Sequence, residues 1–222
     1  SSDVCSSDLI ASIMKLWIAY FCLFALPVFA ELDPASLTSR VFAMYASTSP
    51  YCTSPKLIFS KDQADFYDVF GFPTLSVTDN KDHSYDGTYH CLIFKMSERF
   101  EFRPNVSGGT TCLFTSVYTQ EMCPGGIQTV GVDGTVINCT NAGDETVYLY
   151  LSTASNTNDP TQITAPFSPP TSQDTTKGVK LTSPFVIFGV TSGRLVVDAT
   201  SRISASGGSC VLGIPRFSFV KE

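Results

Sequence analysis

Of the eight cysteines in the chain, six lie beyond residue 30: Cys52, Cys91, Cys112, Cys123, Cys139 and Cys210. An even set of cysteines behind an apolar N-terminal stretch reads as a disulfide framework built in an oxidising compartment. The spacings do not suit zinc, since no two cysteines pair as C-x-x-C and only His83 and His90 could assist. Six cysteines admit about 15 pairings, and the local sequence favours one of them. Cys52 lies where a first strand pattern ends and Cys91 lies within a core strand pattern, so these two are expected to pair. Cys112 and Cys123 are not, because the residues between them read as one extended strand. Such a strand spans roughly 30 Å, where a disulfide permits ~6 Å. Cys123 and Cys139 sit near the open end of an Asp133-Gly134 hairpin, with Pro124-Gly125-Gly126 able to bend the chain back. Cys112 and Cys210 are left for each other.

The residues before this framework read as processing segments. Residues 1–9, SSDVCSSDL, are similar to a translated sequencing adapter, and residues 1–13 are expected to be a non-native leader. Residues 14–30 have the layout of a signal peptide: Met14, the positive Lys15, an apolar run over 16–29, and small residues at Val28 and Ala30. Cleavage would leave Glu31 as the N-terminus. The run is short for a bilayer core of ~30 Å; the alternative is an N-terminal anchor that is never cut. Residues 31–222 then form the mature domain. Its charge is close to the −6 of the whole chain, and it has no basic cluster, which disfavours a nucleic-acid or anionic-membrane partner.

Strand patterns recur along these residues, and helix patterns are nearly absent. Residues 40–47, 57–60 and 113–119 read as strands, 211–220 as a final strand broken by Gly213 and Pro215, and 88–102 as two strands with an almost continuously apolar first half. In residues 146–152, TVYLYLS, Val147, Leu149 and Leu151 share one face and Tyr148 and Tyr150 the other. Hairpins are expected over 128–138, with Asp133-Gly134 as a type I′ turn, and over 185–200 around Thr191-Ser192-Gly193. Residues 61–70 could form a turn or two of helix. Nine or ten short strands without alternating helices predict an all-β antiparallel sandwich. Residues 153–184, rich in Thr, Ser, Pro, Asn and Asp, form a long polar loop expected to be exposed and nicked first by proteases.

Residues 85–104, YDGTYHCLIFKMSERFEFRP, resemble a pattern in uncharacterised exported bacterial proteins with immunoglobulin- or transthyretin-like sandwiches. The match lies in Gly87, Thr88 and Tyr89, followed by Leu92 and Phe94. Residues 176–200 look like the later hairpin of such proteins. The resemblance implies an immunoglobulin-like sandwich and carries no binding or catalytic residue with it.

No motif for catalysis accompanies this framework. Neither G-x-S-x-G nor H-E-x-x-H occurs. His90 could serve a hydrolase with a Ser or Thr nucleophile, but reads first as a strand side chain, and His83 as a solvated loop residue. Asp62, Asp65 and Asp68 could share a helix face and help bind a cation, but lack the EF-hand pattern and its closing Glu; Asp79, Asp82 and Asp86 flank a loop that could take Ca²⁺, without a diagnostic spacing of oxygen ligands. Tyr45, Tyr51, Tyr67, Tyr85, Tyr118, Tyr148 and Tyr150 could build a carbohydrate platform, without any Trp once residues 1–30 are gone. Two N-glycosylation sequons occur, at Asn105 and Asn138, which matter only in a eukaryotic secretory pathway and are chance in a bacterium. The expectation is a secreted, periplasmic or cell-surface protein that is not an enzyme, with no cofactor or metal and no membrane contact after cleavage. Its partner would be a protein or glycan at the cell surface. The alternatives are a carbohydrate-binding module and a secreted hydrolase.

Overall fold

The almost unbroken apolar run CLIFKMS needs burial on both faces, and the chain supplies it. The computed structural model describes residues 31–61, 67–68, 75–77, 83–140, 145–189, 191–206 and 208–222, so the leader and signal readings at 1–30 lie outside the described residues. The first strands are β1 (Pro34–Ser39), β2 (Val41–Ser47), β3 (Lys56–Ser60), β4 (Tyr67–Asp68), β5 (Leu75–Val77) and β6 (Gly87–Tyr89). Then come β7 (Cys91–Ser97), β8 (Arg99–Pro104), β9 (Tyr118–Glu121), β10 (Gln128–Val130), β11 (Val136–Asn138) and β12 (Thr146–Ser152). The last are β13 (Val179–Lys180), β14 (Phe185–Ile187), β15 (Thr191–Asp198), β16 (Ile203–Ser206), β17 (Ser209–Leu212) and β18 (Arg216–Lys221). The protein is all-β, and no helix occurs among the described residues. The strands are shorter and more numerous than the sequence patterns suggest.

β7 is the centre of a five-stranded sheet of order β13-β12-β7-β2-β3. It runs antiparallel to both neighbours, with Phe94 opposite Leu149 on one side and Met44 on the other. One face carries Leu92, Phe94, Met96, Val147, Leu149 and Leu151 into the main core. The other packs Ile93, Tyr150 and the Cys52–Cys91 pair into a second, smaller cluster with Tyr45, Val132 and Tyr148. The alternation expected for residues 146–152 is therefore the alternation between two cores. Tyr150 is 2% exposed, and its hydroxyl donates to the Val130 carbonyl oxygen at 2.7 Å. The β10–β11 hairpin thereby covers this second face.

Two further sheets, β4-β1-β8-β9 and β18-β15-β5, share the main core. Phe219 joins the layers, with its ring 5.9 Å from that of Phe94 and 4.9 Å from that of Phe185. Two strand pairs cross between sheets. β1 pairs with β8, while their continuations β2 and β7 pair in the five-stranded sheet. The corner falls at Arg40, whose carbonyl accepts the Ser97 N–H at 2.9 Å, and at Glu98. Strands that change sheets at a bend are how such layers are joined. Fully burying a side chain such as Phe94 contributes roughly 1.5–3 kcal/mol.

Three disulfides staple the fold: Cys52–Cys91, Cys112–Cys210 and Cys123–Cys139, with Cα atoms 5.3, 4.7 and 5.7 Å apart. These are the expected pairings, although the extended strand expected between Cys112 and Cys123 does not form. Residues 113–117 are not a strand; β9 begins only at Tyr118. Side chains take the backbone donors there: the Tyr118 hydroxyl accepts the Leu113 N–H at 2.7 Å, and Ser107 Oγ accepts the Phe114 N–H at 3.1 Å. The 128–138 hairpin forms, with a different turn. The Gly134 N–H donates to the Gly131 carbonyl, and positive φ occurs at Gly134 (84°) but not at Asp133. This is a type I turn with a bulge glycine rather than type I′; Asp133 avoids the left-handed region and instead accepts the Thr135 N–H at 3.0 Å.

The hairpin expected over 185–200 does not form. β14 pairs with β6, while β15 pairs with β18 and β5. The final strand splits at Gly213 and Pro215 into β17 and β18, and β17 pairs with β16. Most of the helical turn expected over 61–70 lies outside the described residues; Tyr67 and Asp68 pair with β1 as a strand. The long segment 153–184 is tied down through its length. Its backbone bonds include Gly178 N–H to Ala165 O and Lys180 N–H to Thr157 O, both at 2.9 Å. Val179 and Lys180 add a parallel strand beside β12, and Phe167 and Leu181 reach the main core.

Candidate ligand-contact surface

β14 follows the pleat, so Phe185 and Ile187 point into the core and Val186 points out. The next residue, Phe188, continues the alternation outward and is 76% exposed, more than any other large apolar side chain among the described residues. Its backbone is held. The Thr191 hydroxyl accepts the Phe188 N–H at 3.2 Å and donates to its carbonyl at 3.3 Å. Gly189 follows at φ 59°, a left-handed conformation natural to glycine.

The loop before β6 meets this tip. His83 has φ 57°, and the Asp86 N–H donates back to its carbonyl at 3.1 Å. The Asp86 carboxylate then joins the two loops: Oδ2 lies 2.7 Å from His83 Nδ1 and Oδ1 accepts the Gly189 N–H at 2.8 Å. The His83 ring sits 5.8 Å from the Phe188 ring, tilted by 58°. Lys221 Nζ donates to the Val186 carbonyl at 3.1 Å, bringing a cation to the rim. Beneath lies Tyr89, 1% exposed, with its hydroxyl donating to the Tyr85 carbonyl at 2.7 Å. Burial, with the Asp86 charge second, pushes the Tyr89 phenol above its ordinary range. An exposed aromatic on a backbone fixed by hydrogen bonds can bury area against a partner with little further loss of entropy.

The other candidates from the sequence are dispersed. His90 Nδ1 lies 3.3 Å from Thr153 Oγ1, and among the described residues no carboxylate hydrogen-bonds this ring. Asp62, Asp65, Asp79 and Asp82 lie outside the described residues, so neither acidic set can be placed whole. Asp86 spends both oxygens on His83 and Gly189. Asp133, Asp159 and Asp174 each accept hydrogen bonds from the backbone and hydroxyl of a Thr two residues on, which holds their carboxyls below the usual carboxylate range. These acids serve turn geometry. Tyr45, Tyr148 and Tyr150 cluster in the second core, Tyr118 closes the loop before β9, and the Tyr67 side chain lies outside the described residues. Glu98, Cys123 and Cys139 bring an oxygen and two sulfurs within 4.8 Å of one another, but the sulfurs are bonded together and are not thiolates.

Sequence reasoning brought out His83 and Asp86 but missed Phe188. The signal was the period of FVIF, which points every second residue outward. Comparison with family models, with curated proteins and with solved structures returns no match.

Proposed function

We propose that this chain is an exported, non-enzymatic binding protein of the cell surface, periplasm or extracellular space, resting on an immunoglobulin-like sandwich, and that the Phe188 surface meets a partner protein. The observation that carries the reading is Phe188: 76% exposed, yet held by Thr191 and the Asp86 bridge. Three disulfides support an oxidising compartment. A tilted His–Phe pair suits insertion into a partner's pocket better than a flat sugar-stacking face. The His83–Asp86 pair favours a second reading, a glycan ligand with hydroxyls to recognise.

The test is titration of labelled protein onto the surface of the producing cells, alongside a glycan array. Phe188→Ala is expected to weaken saturable binding at least tenfold, which is about 1.4 kcal/mol and within the hot-spot range. Equal binding by the variant refutes the contact surface. Array binding that Phe188→Ala abolishes moves the reading to a glycan-binding module.

A further inference from the structure

The two sequons sit in different chemistry. Asn105 follows β8; its N–H donates to the Asp33 carbonyl at 2.8 Å, and its exposed carboxamide has no hydrogen-bond partner among the described residues. Asn138 ends β11, and its Oδ1 accepts from Gln128 Nε2 at 2.9 Å. Its sequon neighbours are committed as well. Cys139 is buried and bonded to Cys123, and the Thr140 hydroxyl donates to Glu145 Oε1 at 2.5 Å.

Order of synthesis widens the difference. Cys123 and Cys139 are 16 residues apart, so Cys123 has already emerged when the Asn138 sequon does, and their bond can close across it. The staple of the Asn105 loop is Cys112–Cys210, 98 residues apart. It cannot form until Cys210 is made, so the Asn105 sequon stays open to an enzyme for most of the domain's synthesis.

The Asn105 loop also needs cover. Val106, Leu113, Phe114 and Val117 are 54%, 39%, 55% and 65% exposed. The bond from the Phe114 N–H to Ser107 Oγ folds this apolar segment back onto the sequon. Apolar residues gathered at a surface mark a place that something covers.

We propose that Asn105 is the N-glycosylation site of this chain in a eukaryotic secretory pathway, that its inner sugars cover the apolar loop 105–117, and that Asn138 stays bare. The inference rests on the export reading. The donor is a polyprenyl-diphosphate-linked oligosaccharide. Asn105 Nδ2 attacks its anomeric carbon, the bond to the diphosphate oxygen breaks, and the polyprenyl diphosphate leaves as the amide nitrogen gives up a proton.

The test is translation of the chain from Met14 with microsomes, reading protease protection for translocation and endoglycosidase H sensitivity for the glycan. One sensitive step is expected, lost in Asn105→Gln and kept in Asn138→Gln. Cys123→Ser is expected to raise occupancy of Asn138, because the competing disulfide is gone. Purified Asn105→Gln protein is expected to bind more bis-ANS than the glycosylated form. A protected chain without glycan overturns the proposal, as does a glycan on Asn138 in the wild type. An unprotected chain instead refutes the export reading; the same chain behind a proven cleavable signal then decides the glycan by the same bands.

Discussion

Glu98 sits at the corner where β7 leaves one sheet and β8 joins another, and its side chain is fully buried. Oε1 accepts the Glu145 N–H at 3.3 Å, and Oε2 has no hydrogen-bond partner among the described residues. Burial is the main reason its carboxyl is pushed up to about 7 from the ordinary 4.5; repulsion from Glu145 and Glu121 adds to it, against the Glu145 N–H. The folded state therefore holds a proton that the unfolded state has released between these two values. Below about pH 4.5 ionisation of the group costs the fold nothing, because both states are protonated. Stability falls as pH rises through this window, and the full loss is present above pH 7. At ~1.36 kcal/mol per tenfold change in acidity, the loss is on the order of 3 kcal/mol. Glu98→Gln keeps the shape and the acceptor and cannot ionise. Urea denaturation of both proteins, disulfides intact, is expected to show nearly equal stability at about pH 4. At about pH 8 the Glu98→Gln variant is expected to be the more stable of the two by about 3 kcal/mol. Taking the difference between the two proteins cancels Asp133, Asp159 and Asp174, whose lowered values act in the opposite direction. An unchanged gap between the proteins across the pH range refutes the reasoning.

Two further outcomes follow from the same geometry. Replacing Cys112 and Cys210 together by Ser removes closure of the 98-residue separation, and is expected to cost about 4–5 kcal/mol in equilibrium denaturation; a loss under about 1 kcal/mol would mean that the loop before β9 is held without its staple. Limited chymotrypsin digestion is expected to spare residues 153–184, whose backbone is hydrogen-bonded along its length, until global unfolding; early cuts there, mapped by mass spectrometry, would show that those bonds open locally.

Legibility followed the range of the interactions involved. Alternation in residues 146–152 was readable because a strand's period of two assigns each side chain to a face whatever the partner. That the Tyr148 and Tyr150 face would close over a second cluster was not readable, since the covering β10–β11 hairpin is another element. The turn at Gly134 was half legible: its place was clear, and its type was decided by whether Asp133 bonds Thr135. The disulfide pairing came out right although one premise, an extended strand over 113–119, did not hold. Side-chain hydroxyls of Ser107 and Tyr118 claimed those backbone donors, a competition that strand propensity does not register.

By itself the sequence determined an all-β chain, its main apolar faces and a framework of six cysteines, because period, strand preference and cysteine count are local properties. Tertiary structure alone decided that Phe185–Ile187 would pair with Gly87–Tyr89 rather than with its neighbour in the chain. It also decided that Glu98 would be buried at a corner between sheets, and that Asp86 would bind both His83 and the backbone beside Phe188. Each of these joins residues far apart in the chain or on different strands. The free energy of such contacts depends on which surfaces meet, and a local pattern carries no record of that.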